Sequence, residues 1–237
     1  MLRIRCSTLE TVKASPIAYA QLLAFGDGKN GGGTYGMFAY WQDVAKLVHQ
    51  NELTVSQGVK ELQNKFIRFD DTAKNKAKQD KLLEQFVKYC TLYDKNKFAF
   101  VDSKRQMKWE LFSGVMLTGL TPWVVYNDTG YYCYIVTEQL FDWQDQLRFP
   151  LIQQYLTDNK IDCDVTEMNM GIYCLATNQF DFRSYPKIEL KKAITQTVSL
   201  FENVKLEYYK IKKWSDIEIQ EEILAYQLMR LVPITSG

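Results

Sequence analysis

Gly119-Leu120-Thr121-Pro122-Trp123-Val124-Val125-Tyr126-Asn127-Asp128-Thr129-Gly130-Tyr131-Tyr132-Cys133-Tyr134-Ile135-Val136-Thr137-Glu138 is the stretch that decides the fold. Trp123 to Tyr126 is a short apolar run, bounded by Pro122 and by a turn. Asn127 to Gly130 supplies that turn, because Asn and Asp bond to their own backbone and Gly accepts a positive φ. Tyr131 to Thr137 is apolar almost throughout, as expected of a central strand buried on both faces. Just upstream, Met107, Trp109 and Leu111 alternate with Lys108 and Glu110, which marks a half-buried strand. Val115 and Leu117 continue it past Gly114. The reading is an antiparallel meander of three strands joined by short turns.

Downstream, a helix is expected from about Asp142 to Leu156, kinked or divided by Pro150. Met168, Met170, Ile172 and Cys174 alternate within Val165–Ala176 and give at least one further strand. Pro186 opens a long helix with Ile194, Val198, Phe201, Val204, Tyr208 and Ile211 on one side. Ser215 to Glu218 has the pattern of a cap for a last helix. Upstream, Ser7 and Glu10 stand in capping-box spacing, and Ser15-Pro16 starts a helix that runs to about Phe25. Gly26 to Gly36 is glycine-rich, but Lys29 precedes the glycine triplet and no strand precedes the loop. A surface loop therefore fits better than a phosphate loop. From Tyr35 to Tyr93 the apolar spacing is helical: Phe38, Trp41, Val44, Ala45 and Val48, then Leu62, Phe66 and Phe69, then Leu82, Phe86 and Cys90. Thr54 and Gln57 form another capping box, and Asp71-Thr72 starts the third of these helices. The expectation is an α+β chain with a mixed central sheet flanked by helices. It forms a single domain over 1–237, with a helical part at 1–100, a sheet core with one helix at 101–183, and C-terminal helices at 184–237.

Composition narrows the function classes. Hydrophobic residues make up 46% and charged residues 24%, values of a globular chain and not of a disordered one. Net charge is +1, so the overall basic excess of a dedicated DNA binder is lacking. Aromatic residues reach 14%, enough to fill a large core and leave rings for an interface. The five cysteines are scattered, with no CxxC pair, so reduced thiols are expected rather than disulfides or a zinc site. No apolar run approaches the roughly 18 residues of a membrane span, and Met1 to Glu10 lacks a signal-peptide core. A cytoplasmic protein is the expectation.

Layout and local text together resemble the PD-(D/E)XK nucleases, in particular the RecB-type exonuclease branch and the CRISPR-associated nucleases that share its core. Ser7-Thr8-Leu9 and Ser15-Pro16-Ile17-Ala18-Tyr19 resemble the N-terminal entry of that branch. Gly119 to Pro122 resembles its G-x-x-D strand. Tyr132 to Glu138 resembles its apolar strand ending D/E-x-K, and Gln146 opens a segment like its Q-x-x-x-Y helix. The resemblance covers most of the chain in layout and about a fifth in motifs.

The departures from the motif bear on activity. The G-x-x-D aspartate position holds Pro122, the D/E-x-K acid position holds Val136, and its lysine position holds Glu138. The tyrosine position holds Pro150, so only Gln146 remains. Such a nuclease holds Mg²⁺ or Mn²⁺ with carboxylates, which lowers the pKa of a bound water and stabilises charge on phosphate. Proline and valine provide no side-chain oxygen for a hard cation, and glutamate for lysine reverses the sign of the local charge. The iron–sulfur branch of the family needs three cysteines after the core, and none follows Cys174. No catalytic residue, metal or cofactor is therefore expected.

Several features have a plain reading beside a functional one. Glu110 and Glu138, with Asp128, Asp142 and Asp145 nearby in sequence, would serve a displaced metal site if they met. A solvated strand edge and acidic first-turn helix residues account for them more simply. His49, the only histidine, reads as a surface helix residue rather than a general base. Tyr131 to Tyr134 reads as core rather than as a base-stacking platform. The lysine-rich segments Lys74–Lys81, Lys187–Lys192 and Lys205–Lys213 read as solvated helix faces.

The resemblance then implies a catalytically inactive nuclease-fold protein. Its expected role is a structural or assembly subunit with protein partners in an oligomer or hetero-complex, in a phage particle or a defence complex. A virion location would follow if the gene is phage-borne. A non-catalytic DNA-binding protein and a Mg-dependent nuclease with relocated ligands are the alternatives. No membrane association is expected.

Overall fold

A computed structural model describes residues 1–26 and 36–231, with side chains as far as 213. The glycine-rich loop and the last residues of the chain lie outside the described residues. The chain is mixed α and β. Its strands form a three-stranded sheet, β1-β4-β3, and a five-stranded sheet, β2-β5-β6-β7-β8. Their ranges are β1 Leu2–Arg5, β2 Ala99–Asp102, β3 Gln106–Phe112, β4 Val115–Leu120, β5 Trp123–Asn127, β6 Gly130–Thr137, β7 Met168–Cys174 and β8 Gln179–Arg183. The helices are α1 Leu9–Ala14, α2 Pro16–Phe25, α3 Met37–His49, α4 Val55–Phe66, α5 Ala73–Lys95, α6 Arg148–Asn159 and α7 Lys187–Leu231.

The apolar run at Tyr131–Thr137 forms β6, the middle strand of the larger sheet, as its composition predicts. β5 and β6 pair antiparallel through the Asn127–Gly130 turn, and β6 pairs parallel with β7. A parallel neighbour requires a crossover, and α6 provides it. Gly171 on β7 allows the close approach of β8. A Cβ there would lie 2.1 Å from the Asp181 carbonyl oxygen, well inside contact distance.

The strand alternation divides the core in two. Trp123, Val125, Tyr134, Val136 and Tyr173 face α3, α4 and α5. Val124, Cys133, Met170 and Ile172 face the opposite way, onto α6 and onto Met107 and Leu117 of the smaller sheet. The long helix α7 packs on that second side against α2, with Phe201 and Val204 fully buried. Capping signals place the helical layer as read. Thr54 and Gln57 form the capping box of α4, Thr72 caps α5, and Ser15 caps α2 with Pro16 at its first position.

Four expectations need correction. The meander is split: Gly114 turns the chain between β3 and β4 at φ 76°, and β4 pairs with β3 and β1, not with β5. The partner that claims β4 is Leu2–Arg5, four residues too short to announce a strand by periodicity. Ser7 does not cap a helix. A 3-10 turn occupies Cys6–Thr8, and Glu10 instead accepts a hydrogen bond from the Leu147 backbone N–H at 2.6 Å. Pro150 neither kinks nor divides α6, because the helix begins at Arg148 and not at Asp142. That start puts Pro150 in the first turn, where no intrahelical N–H bond is lost. Finally, Ser215 to Glu218 lies inside a continuous α7. A capping sequence is permissive, and without a turn-forming residue before it the helix runs through.

Candidate functional site

Between the ends of β4, β5 and β6 and the start of α6 lies a cleft of about 570 Å³. Its wall includes Thr118 to Pro122, Trp123 and Tyr134 to Val136, so the segment that decides the fold also lines the cleft. Arg5 and Cys6 enter from β1 and the turn after it, Gln42 from α3, Lys104 from the β2–β3 connection, Gln106 from the start of β3, and Arg148 and Ile152 from α6. Gly119 holds this corner close: a Cβ there would sit 3.2 Å from the Cys6 Cβ. The connection from β2 is fixed to the β4–β5 link by paired backbone bonds, Lys104 N–H to the Thr121 carbonyl at 3.0 Å and Thr121 N–H to the Arg105 carbonyl at 2.8 Å. Lys104 adopts a left-handed φ of 55° to reach this position.

The charges on the cleft wall are all positive. Arg5, Lys104 and Arg148 line it, and no Asp or Glu among the described residues does. Lys104 is paired with Asp43 of α3 at 2.5 Å. Arg148 is held differently. Its guanidinium lies over the rings of Phe141 at 5.2 Å and Phe149 at 5.0 Å, a cation–π arrangement that fixes its plane. Its Nε is buried and has no hydrogen-bond partner. Burial holds the Arg148 pKa below its ordinary value, and the neighbouring Cys6 and Glu10 only partly offset this. Burial pushes the Cys6 thiol up to about 12, so it is a neutral, unreactive thiol at ordinary pH.

On the α3–α5 side, a buried polar chain backs the cleft. Tyr134 is hydrogen-bonded to the Tyr89 hydroxyl at 2.7 Å, and Tyr89 to His49 Nε2 at 2.9 Å. His49 is not a surface residue, contrary to the sequence reading. It is 7% exposed and stacked on Tyr93 with ring centroids 3.6 Å apart. Burial lowers its pKa to about 3, so the imidazole is neutral. The helical stripe of α3 was legible, but its angular width was not, and position 49 falls on the inner edge of the stripe.

The motif positions are distributed unevenly. Pro122 and Val136 are on the cleft wall. Glu138 follows β6 and points to a separate recess beside α5, where Lys78 pairs with it at 3.2 Å. Gln146 does not line the cleft; its side chain donates to the Asp142 carbonyl at 2.7 Å. Glu110 is on β3 of the smaller sheet, and its carboxylate accepts from Gly114 N–H at 2.8 Å, closing the β3–β4 turn. Glu110, on the smaller sheet, and Glu138, just past the larger one, thus have different partners. Asp142 lies with Asp181 around Trp143, whose indole N–H donates to Asp181 at 2.7 Å. Asp145 and Asp128 are exposed in connections between elements. Among the described residues, no group of three or more His, Cys, Asp or Glu is arranged to hold a metal ion.

The residues that sequence reasoning passed over are Arg5, Lys104 and Arg148. One signal was available for Arg148, a lone cation between Leu147 and Phe149 in an otherwise apolar run. Nothing in the sequence brings Arg5 and Lys104 to the same place, because that depends on the parallel pairing of β1 with β4. Comparison with protein-family models and with curated proteins found no match for this chain.

Proposed function

We propose that this chain is a catalytically inactive protein on a PD-(D/E)XK-like core, acting as a non-catalytic subunit of a larger complex. The observation that carries the reading is the cleft wall. At the two motif positions that would hold a divalent ion stand Pro122 and Val136, and the charged groups beside them are Arg5, Lys104 and Arg148. A hard cation needs oxygen ligands and is repelled by guanidinium groups. The crossover from β6 through α6 to β7 supports the kinship with that core.

Support for an assembly role comes from the helix pair α2 and α7. Ile17, Leu22 and Phe25 of α2 are 56%, 61% and 65% exposed, and α7, which packs on α2, exposes Leu206 and Tyr209. Apolar surface gathered on one helix pair is the usual mark of a protein contact. No helix among the described residues is long and apolar enough to cross a membrane.

The test combines two measurements on the purified chain. Linear and supercoiled DNA with Mg²⁺ or Mn²⁺ should remain uncut, and mass photometry should show a defined assembly that Phe25→Asp weakens. Metal-dependent cleavage abolished by Glu110→Ala or Glu138→Ala would overturn the reading in favour of relocated ligands. A second reading, a non-catalytic DNA-binding protein, is favoured by the same cationic wall. It predicts a gel shift that weakens steeply with salt.

A further inference from the structure

We propose that the cleft between the two sheets binds a small organic phosphate, with Arg148 and Arg5 as its anion-recognising residues. This deepens the reading above by naming a ligand class for the same cleft, and it rests on that cleft being closed to divalent ions.

Buried cations are normally paired, because an unpaired one forfeits its hydration. Arg148 departs from that rule in part: the side chain is half-buried, its Nε is enclosed without an acceptor, and no ion pair holds it among the described residues, the nearby Glu10 carboxylate acting on it only electrostatically. Its guanidinium is nevertheless fixed, between Phe141 and Phe149. A fixed, unsatisfied guanidinium on the wall of an open cleft is a preorganised donor, since the cost of ordering it is met during folding. Arg5 faces the same space and has no side-chain partner among the described residues. Lys104 is paired with Asp43, which cancels most of its field in the cleft.

Size and wall chemistry narrow the ligand. The volume of about 570 Å³ falls in the range of small-molecule sites, roughly 300–1,000 Å³. Beside the guanidinium groups the wall carries Leu120, Pro122, Ile135 and Ile152, apolar surface with room for a ring, and the amides of Gln42 and Gln106. A dianionic oxyanion matches two guanidinium forks better than a single carboxylate does. The fit is therefore a phosphomonoester on a flat or apolar body about as large as a nucleoside. A free nucleotide and the phosphorylated end of an oligonucleotide share that chemistry.

The full chain is titrated calorimetrically with phenyl phosphate, AMP, adenosine and a 5′-phosphorylated trinucleotide, and separately with Mn²⁺. Phenyl phosphate or AMP should bind and adenosine should not. Arg148→Met should weaken the phosphate ligand roughly tenfold or more, the loss of a charge-assisted bond. Arg5→Gln should weaken it by a smaller factor, while Arg3→Gln, which removes the same charge from the same strand outside the cleft, should leave it unchanged. Arg5 is exposed, so its variant keeps the test valid if Arg148→Met fails to fold. Tighter binding of the trinucleotide than of AMP would assign the phosphate to a nucleic-acid end, and the reverse to a free nucleotide. Equal affinity across wild type, Arg148→Met and Arg5→Gln, or no binding of any phosphate, would overturn the proposal. Those results leave the reading of an inactive core standing, whereas Mn²⁺ binding in the cleft would overturn that reading itself.

Discussion

His49 and Arg148 are both basic side chains drawn from open solvent, one buried under α3–α5 and one half-buried on the cleft wall, and the protein treats them in opposite ways. His49 is made neutral. It is enclosed by Tyr89, Tyr93 and Trp123, and its imidazole joins a hydrogen-bonded chain through Tyr89 to Tyr134. Arg148 cannot be made neutral, because guanidinium stays protonated even where burial lowers its pKa. It keeps its charge, two aromatic faces and one orphaned N–H. The aromatic layer under α3–α5 is thus built for stability: His49, Tyr89 and Tyr134 satisfy one another, and the Tyr93 hydroxyl is the group left without a partner among the described residues. The cleft instead presents two guanidinium groups, Arg5 and Arg148, that no ion pair holds among the described residues.

The comparison breaks most readily at the aromatic layer. Trp41 is fully buried, packs on Phe86 and Tyr89, and donates to the Leu82 carbonyl at 3.1 Å. Trp41→Ala should cost about 3–5 kcal/mol, read as a lower urea midpoint. A loss below about 1 kcal/mol would mean that this layer is not the stable half.

The neutrality of His49 has a pH signature. Its pKa falls from 6.5 to about 3 on folding, so between those values the unfolded chain binds a proton that the folded chain does not. Stability then rises with pH: the His49 contribution is complete above 6.5 and is lost as pH falls toward 3. The slope is at most about 1.4 kcal/mol per pH unit in that window. Urea unfolding at several pH values between those limits should show a smaller slope in His49→Gln than in wild type. Parallel slopes would show that the imidazole is not buried as a neutral group.

Arg148→Met sharpens the contrast. It keeps an unbranched stem against Phe141 and Phe149 and removes an unsatisfied charge. Stability at neutral pH should therefore change little, or rise by about 1 kcal/mol, while phosphate binding falls. A loss of about 3 kcal/mol or more would identify the guanidinium as a paired structural group. The smallest effect is expected at Glu138. Its partner Lys78 is exposed like itself, so Glu138→Gln should shift stability by less than about 0.5 kcal/mol. Thermal melts of wild type and variant should nearly superimpose.

The legible part of the fold is the part made of local signals. Thr54, Thr72 and Ser15 announce helix starts because a side-chain oxygen within three residues is all a cap needs. The β5–β6 hairpin was readable from Asn127 to Gly130, and the central place of β6 from its two-faced apolar run. The smaller sheet was not readable. Its members come from opposite ends of the N-terminal half, and the apolar alternation of β4 fits pairing with β5 as well as with β1. Only long-range packing chose between them.

The same division holds for the candidate site. Sequence alone determined what is missing from the motif positions, because residue identity at Pro122, Val136 and Glu138 needs no coordinates. It did not determine what stands there instead. Arg5 and Arg148 are 143 positions apart by their numbers, and they share one cleft because β1 pairs parallel to β4 and Glu10 of α1 ties the start of α6 beside it. Chemistry that lives in single residues is written along the chain. Chemistry that needs two distant charges in one space exists only after the backbone has closed the distance between them.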